Sequence, residues 1–167
     1  MRRPIAILLV LMVVTVAWQL TASNQVDPSR VVAFDAQLTD VTGGTYTRRV
    51  PLPAVTSPAL VFVVKAPSGL SEVAPPDYRG YSGELRIEPG DRSFWLLGRG
   101  TEGGADGIQC ELILELVDVR DEILQLSRQP EVRLELRLSL FSEERLVAAS
   151  SWIEATQLFR VAAGKLK

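Results

Sequence analysis

A β fold is most plainly indicated by nine consecutive residues near the C-terminal end of the chain, Val132-Arg133-Leu134-Glu135-Leu136-Arg137-Leu138-Ser139-Leu140. Apolar and polar side chains alternate throughout, which places every apolar residue on one face of a strand. A helix would spread the same residues over opposite sides, so the period of two outweighs the helical preference of leucine. The stretch therefore predicts a half-buried strand whose charged face meets opposite charges on neighbouring strands.

Strand-like patterns recur along most of the chain. Glycine at positions 43 and 44 predicts a turn after the first strand, and prolines interrupt several connections. The predicted strands are 32–39, 46–50, 59–64, 84–88, 93–97, 111–119, 123–127, 132–140 and 146–154, and the one candidate for a short helix is 157–166. So many short strands with hairpin-like connections predict an all-β domain, either an antiparallel β-sandwich or a partly closed barrel.

The N-terminal segment has the composition of a membrane anchor. Arg2 and Arg3 are followed by 23 uncharged residues, Pro4 to Val26, which include ten Ile, Leu or Val side chains between positions 5 and 20. Their insertion into a bilayer is favoured by about 3 to 6 kcal/mol. A transmembrane helix is expected within residues 1–23, with Arg2 and Arg3 on the cytoplasmic side and Trp18 at the opposite membrane interface.

A cleaved signal peptide is the alternative interpretation of the same segment, with a mature N-terminus at Ser23. Both interpretations place the remaining chain outside the cytoplasm. The predicted organisation is an anchor at 1–23, a tether at 24–30, a β domain at 31–156 and a C-terminal tail at 157–167. The expected location is the bacterial inner membrane, crossed once, with the β domain in the periplasm.

Composition argues against several kinds of chemistry. The chain has no histidine, one cysteine and a net charge of −2, so the commonest general base and zinc ligand are missing and no basic field for nucleic acid exists. Gly98-Arg99-Gly100-Thr101-Glu102-Gly103 matches a dinucleotide-binding pattern, but no helix is predicted after it. We expect no catalytic residue, no cofactor and no metal. Cys110 is expected to be a buried thiol.

Several aromatic and basic residues are candidates for contact with other molecules. Phe94, Trp95 and Trp152 are expected to pack in the core. Two predicted partner contacts, Tyr78 and Tyr81, lie in a proline-rich loop, where aromatic anchors for a partner or the membrane surface are favoured. The other two, Arg48 and Arg49, lie in the predicted strand 46–50 and either meet lipid phosphates or belong to a solvated edge strand.

The C-terminal part of the chain resembles a known family. Three successive elements, Glu111–Val119, Glu131–Leu140 and Arg145–Ser150, are similar in order to the C-terminal half of bacterial ABC-type transport auxiliary lipoproteins. The resemblance implies a periplasmic helper of lipid export or uptake. The chain lacks that family's lipid-attachment cysteine, and no functional residue is carried over from it.

The expected function is therefore a non-catalytic one. The anchor and the β domain predict an accessory or structural subunit of a larger bacterial inner-membrane complex, either energy-transducing (photosynthetic or respiratory) or transporting. Its partners would be other subunits of that complex and the lipid bilayer. The alternative is a periplasmic lipid-transport auxiliary, or a module that binds a hydrophobic ligand in a cavity between the sheets.

Overall fold

Nine strands and two helices make up the described part of the molecule. The structure is a computed structural model, and it describes residues 31–48, 54–67, 79–101, 108–142 and 145–166. In chain order the elements are β1 (Val32–Phe34), β2 (Gln37–Arg48), β3 (Val55–Ala66), β4 (Arg79–Glu88), β5 (Ser93–Thr101), β6 (Ile108–Glu115), α1 (Arg120–Arg128), β7 (Arg133–Ser142), β8 (Arg145–Ser150), β9 (Ile153–Glu154) and α2 (Thr156–Ala163).

The strands belong to one mixed sheet. Their order is β1-β8-β7-β4-β5-β6-β3-β2, and β9 pairs with β7 beside β8. All pairs are antiparallel except β1 with β8. Since β1 and β2 stand at the two ends of this order, strand pairing does not close the sheet. The strand pairing confirms the prediction of a β-rich, mainly antiparallel fold.

One face of the sheet carries the hydrophobic core. The five apolar residues of the Val132–Leu140 stretch are all buried, as the alternation predicts. Leu136 lies opposite Leu85 on β4, and Leu85 lies opposite Phe94 on β5. Rows of this kind continue to β3, where Phe62 faces Leu112 of β6. The face opposite the core is called the outer face below.

Both helices pack on the core side of the sheet. Ile123 of α1 and Phe159 of α2 are fully buried in the same apolar cluster as the strand residues. Helix α2 contacts β7 as well as β2, although these strands are five positions apart in the sheet order. The sheet therefore curves around α2.

The prediction of a strand at 123–127 is wrong, because this segment lies in helix α1. Asp121 and Glu122 occupy its first turn and Arg128 its last turn, an arrangement that the helix dipole favours. Ile123 and Leu126, three positions apart, both face the core cluster. The predicted helix at 157–166 is confirmed by α2.

The predicted turn at Thr42–Thr45 is also wrong. Strand β2 runs through Gly43 and Gly44, which pair with Leu60 and Ala59 of β3. The predicted long strands 32–39 and 146–154 are each divided, into β1 and the start of β2 and into β8 and β9. The glycines weaken the β preference of the segment but do not stop it from pairing.

The predicted anchor at 1–23 and tether at 24–30 lie outside the described residues. Among the residues that the structure does describe, no helix combines the length and the apolar character needed to cross a membrane. The described residues, apart from Val31, form part of one compact unit, Val32–Lys167.

Candidate partner-binding surface

Trp95 stands on the outer face of β5 and is 63% exposed. Strand alternation puts it there, because Phe94 and Leu96 on either side point into the core. Leu97, two residues further along, shares the outer face and is 43% exposed. The expectation that Trp95 packs in the core is thus wrong, whereas the same expectation for Phe94 is confirmed.

The surface around Trp95 is concave and largely apolar. Leu97 lies opposite Ile113 of β6, and the turn after β6 adds Val117, which is 62% exposed. A hollow of about 350 Å³ opens among these residues. Its lining combines the exposed Trp95, Leu97 and Val117 with the buried Phe94, Ile113 and Leu114 and the partly buried Val119. We call this surface the Trp95 face.

Carboxylates lie at the border of the Trp95 face. Glu115 and Asp118 line the hollow, and Glu84 lies between Trp95 on β5 and Arg137 on β7. Glu115 also accepts a hydrogen bond from Ser57 at 3.3 Å. The neighbouring cation, Arg99, is held by Glu111 through bonds of 3.0 and 2.5 Å. An apolar centre with an acidic border suits a partner that carries apolar side chains among lysines or arginines.

A ladder of charges continues across the outer face on β4 and β7. Arg86 donates to Glu135 on the adjacent strand and lies 3.1 Å from Glu88. Its guanidinium also stacks 4.2 Å from the ring centre of Trp152. The hydrogen bond with Glu135 raises the pKa of Arg86 above its ordinary value. The predicted pairing of the charged face of β7 with opposite charges is confirmed, and Trp152 is half-buried over this ladder.

Tyr81 packs beside the core, where it occupies space left by two glycines. Gly98 and Gly100 lie in β5, and a Cβ on Gly98 would overlap the carbonyl group of Tyr81. A Cβ on Gly100 would overlap the Tyr81 ring. These glycines of the dinucleotide-like pattern therefore belong to a strand and make room for a side chain. They do not open a helix, as phosphate binding in that motif requires.

Most of the other predicted contact residues lie outside the described part of the chain. Arg48 is the last residue of β2. The remaining ones are Arg2, Arg3, Trp18, Arg49 and Tyr78. The sequence prediction missed Trp95 as an exposed residue, although the alternation of Phe94, Trp95 and Leu96 carries the signal.

The single thiol is deeply buried. Cys110 lies in β6 opposite Val64 of β3 and is fully shielded from solvent, as predicted. Desolvation raises its pKa to about 12, so the thiol stays protonated and unreactive in the folded protein. Within the described ranges, no three or more carboxylate or thiol groups come close enough together to hold a metal ion.

Comparisons with known proteins add no family to this description. No protein-family model matches the chain, and no curated protein or solved structure is significantly similar to it.

Proposed function

We propose that the chain is a non-catalytic accessory subunit of a bacterial inner-membrane complex, and that its β domain binds a partner subunit in the periplasm. In this proposal residues 1–23 anchor the chain, and the two halves of the curved sheet face each other across the core as in a β-sandwich. The complex is energy-transducing or transporting. The alternative, an auxiliary of lipid transport, shares the same location.

The Trp95 face is the observation that carries the proposal. Tryptophan is the residue type most enriched among energetic hot spots of protein interfaces. Here it stands on the outer face of a sheet, beside Leu97 and Val117, where water surrounds it in the isolated chain. Because β5 is hydrogen-bonded to β4 and β6 on its two sides, we expect little backbone entropy to be lost when a partner covers this surface.

The experiment is co-purification of the native full chain in a mild detergent, combined with photo-crosslinking. A benzophenone amino acid at position 95 should give a crosslink to one partner subunit. The same amino acid at Gln125, an exposed position of α1, serves as the comparison. A full chain that purifies as a monomer and gives no crosslink from position 95 would contradict the proposal.

Trp95→Asp tests the contribution of the face to binding. We expect the substitution to weaken partner binding by 2 kcal/mol or more, about 30-fold in Kd. The free energy of unfolding should change by only about 1 kcal/mol, because the side chain is exposed. Val55→Asp is the matched control, since Val55 is a strand residue of β3 that is 57% exposed and lies away from the face. Equal binding by both variants would contradict a role for Trp95.

A further inference from the structure

Strand β2 is paired along one of its two edges only. It stands at the end of the sheet order and pairs with β3 from Gln37 to Arg48. Among the described residues, no backbone hydrogen bond outside the strand ladders involves β2. The strand is 12 residues long, whereas β1 at the other end of the order has three. The N–H and C=O groups on the free edge of β2 are therefore available to a further strand.

Most of β2 lacks the features that usually protect an edge strand. Edge strands that stay unpaired are normally short, or carry a charge, a proline or a β-bulge. The register of β2 shifts only between Leu38 and Asp40, and Asp40 also supplies a charge. Residues 41–47 contain no charge and no proline, and their register with β3 is continuous. We call residues 41–47 the β2 edge.

The β2 edge is exposed beyond Gly43. Helix α2 contacts β2, and Leu166, just after the helix, comes within 3.4 Å of the position that a Cβ on Gly43 would take. One residue further, the described atom nearest to a Cβ on Gly44 belongs to Val61 of the neighbouring strand, at 3.9 Å. Thr45 and Thr47 are exposed to solvent. We therefore expect a further strand to reach this part of the edge without displacing α2.

The side chains of the β2 edge are complementary to a second copy of themselves. Around a twofold axis at Thr45, antiparallel pairing puts Thr45 opposite Thr45 of the second copy, a favourable cross-strand pair. The same register puts Tyr46 of each copy opposite Gly44 of the other, where the glycine leaves space for the ring. No like charges meet, because the β2 edge has none. An uncharged edge offers a different partner no charge to recognise, whereas the twofold arrangement forms each favourable pair twice.

From this arrangement we propose that the partner of the β2 edge is a second copy of the chain, paired antiparallel about a twofold axis at Thr45. Pairing joins the sheets of the two copies into one. The contact is small, so the dimer is expected to be weak and to depend on concentration. The proposal uses the β2 edge and not the Trp95 face, so it does not rest on the proposed accessory function. Trp95→Asp should leave the dimer unchanged, which separates the failure of one proposal from the failure of the other.

The first test is disulfide crosslinking of the purified full chain in a mild non-ionic detergent. The native thiol of Cys110 is fully shielded, so mild oxidation reports on an introduced cysteine. With Thr45→Cys the two Cβ atoms would lie about 5 Å apart across the axis, close to the separation in a disulfide. With Thr42→Cys they would lie about 20 Å apart. Thr45→Cys should give at least 10-fold more disulfide-linked dimer than Thr42→Cys, or than Thr56→Cys at an exposed position of β3.

The second test measures the dimer without a crosslink. Thr45→Lys places two like charges opposite each other at the axis, which opposes pairing. Sedimentation velocity over a range of concentrations should show that the Kd of the dimer rises at least 10-fold. Thr56→Lys adds the same charge to the strand behind the edge and should leave the Kd within 2-fold. Thermal denaturation checks that both variants are folded.

Several results would overturn the proposal. One is a native chain that stays monomeric at every concentration. Another is equal crosslinking from Thr45→Cys and Thr56→Cys, which would indicate random collision. A third is a dimer that Thr45→Lys and Thr56→Lys leave equally strong, because its contact then lies elsewhere. The last is a crosslink from Thr45→Cys to a different protein with no homodimer, which would assign the β2 edge to an extended segment of that protein.

Discussion

At Gly98 and Gly100 the absence of a Cβ atom allows β5 to pack closely against Tyr81 of β4. Each is opposed so closely by Tyr81 that even a methyl group has no space. At Gly100 the obstacle is the ring, which can move by a rotation of its side chain. At Gly98 the obstacle is the backbone of β4, which cannot move without disturbing its pairing with β7. Gly98 is therefore the more restrictive of the two positions.

Gly98→Ala should destabilise the protein by about 1 to 3 kcal/mol, the usual cost of forcing atoms into a filled site. Urea denaturation of both proteins measures the difference. Gly44→Ala is the matched control, because a Cβ there would meet Val61 at an ordinary distance of 3.9 Å. It should be neutral or slightly stabilising, since alanine restricts the unfolded chain more than glycine does. Equal losses in the two variants would contradict this account.

The buried thiol of Cys110 gives the stability a pH dependence in the alkaline range. Its pKa is about 12 in the folded protein and about 8.5 in an unfolded chain. At a pH between these two pKa values, the thiol is ionised in the unfolded chain and protonated in the folded protein. Unfolding therefore releases a proton in this pH range. Raising the pH therefore favours unfolding, by about 1.4 kcal/mol per pH unit from this group alone.

Cys110→Ala should flatten this dependence. Urea denaturation at pH 8, 9.5 and 10.5 should show a steeper loss of stability in the native protein than in the variant. The variant is less stable overall because it leaves a cavity, so the comparison concerns the slopes and not the absolute values. Parallel slopes for the two proteins would mean that the thiol is already ionised, or exposed, in the folded state.

Among the elements, α2 is attached to the rest of the domain by polar contacts as well as by its buried face. Arg160 donates to the carbonyl oxygens of Gln129, Pro130 and Val132 at 2.7, 3.1 and 3.0 Å. These three residues connect α1 to β7. At the start of α2, Thr156 accepts a hydrogen bond at 2.9 Å from the backbone of Leu134 in β7. Both ends of the helix are thus tied to β7 or to the segment that leads into it.

Arg160→Ala should lower the free energy of unfolding by about 1 to 3 kcal/mol, because carbonyl groups lose a charged hydrogen-bond donor. Thermal or urea denaturation measures the loss. Arg128→Ala removes the same charge from an exposed position at the end of α1 and should cost at most about 0.5 kcal/mol. A similar loss in both variants would show that charge, and not the carbonyl contacts, is responsible.

Elements with a clear period are the ones that sequence predicts well. All five apolar residues from Val132 to Leu140 are buried as the alternation requires. Helix α1 was not predicted because its three apolar residues, Ile123, Leu124 and Leu126, are too few and too closely spaced to establish a helical period. The charges at its two ends carried the helical signal.

At the scale of the whole molecule, the pairing of distant strands is what the sequence does not reveal. Strand β4 pairs with β7 across about fifty residues, and β3 pairs with β6. No local turn signal specifies either pair. The Trp95 face depends on both kinds of information: alternation alone puts Trp95 and Leu97 outside, but the β5–β6 register brings Ile113 beside them. The sequence can therefore predict which residues of β5 are exposed. It cannot predict that Ile113 of β6 lies next to them.

The parallel pair of β1 and β8 has a mechanical consequence. Only three residues of β1 are paired, Val32 to Phe34 with Ala148 to Ser150, and β1 precedes all other described strands. Tension applied from the N-terminal side would be carried first by these hydrogen bonds and by Phe34, which is buried in the core. Peeling them apart would lengthen the connection by about 10 Å and leave the pairing of the central strands intact.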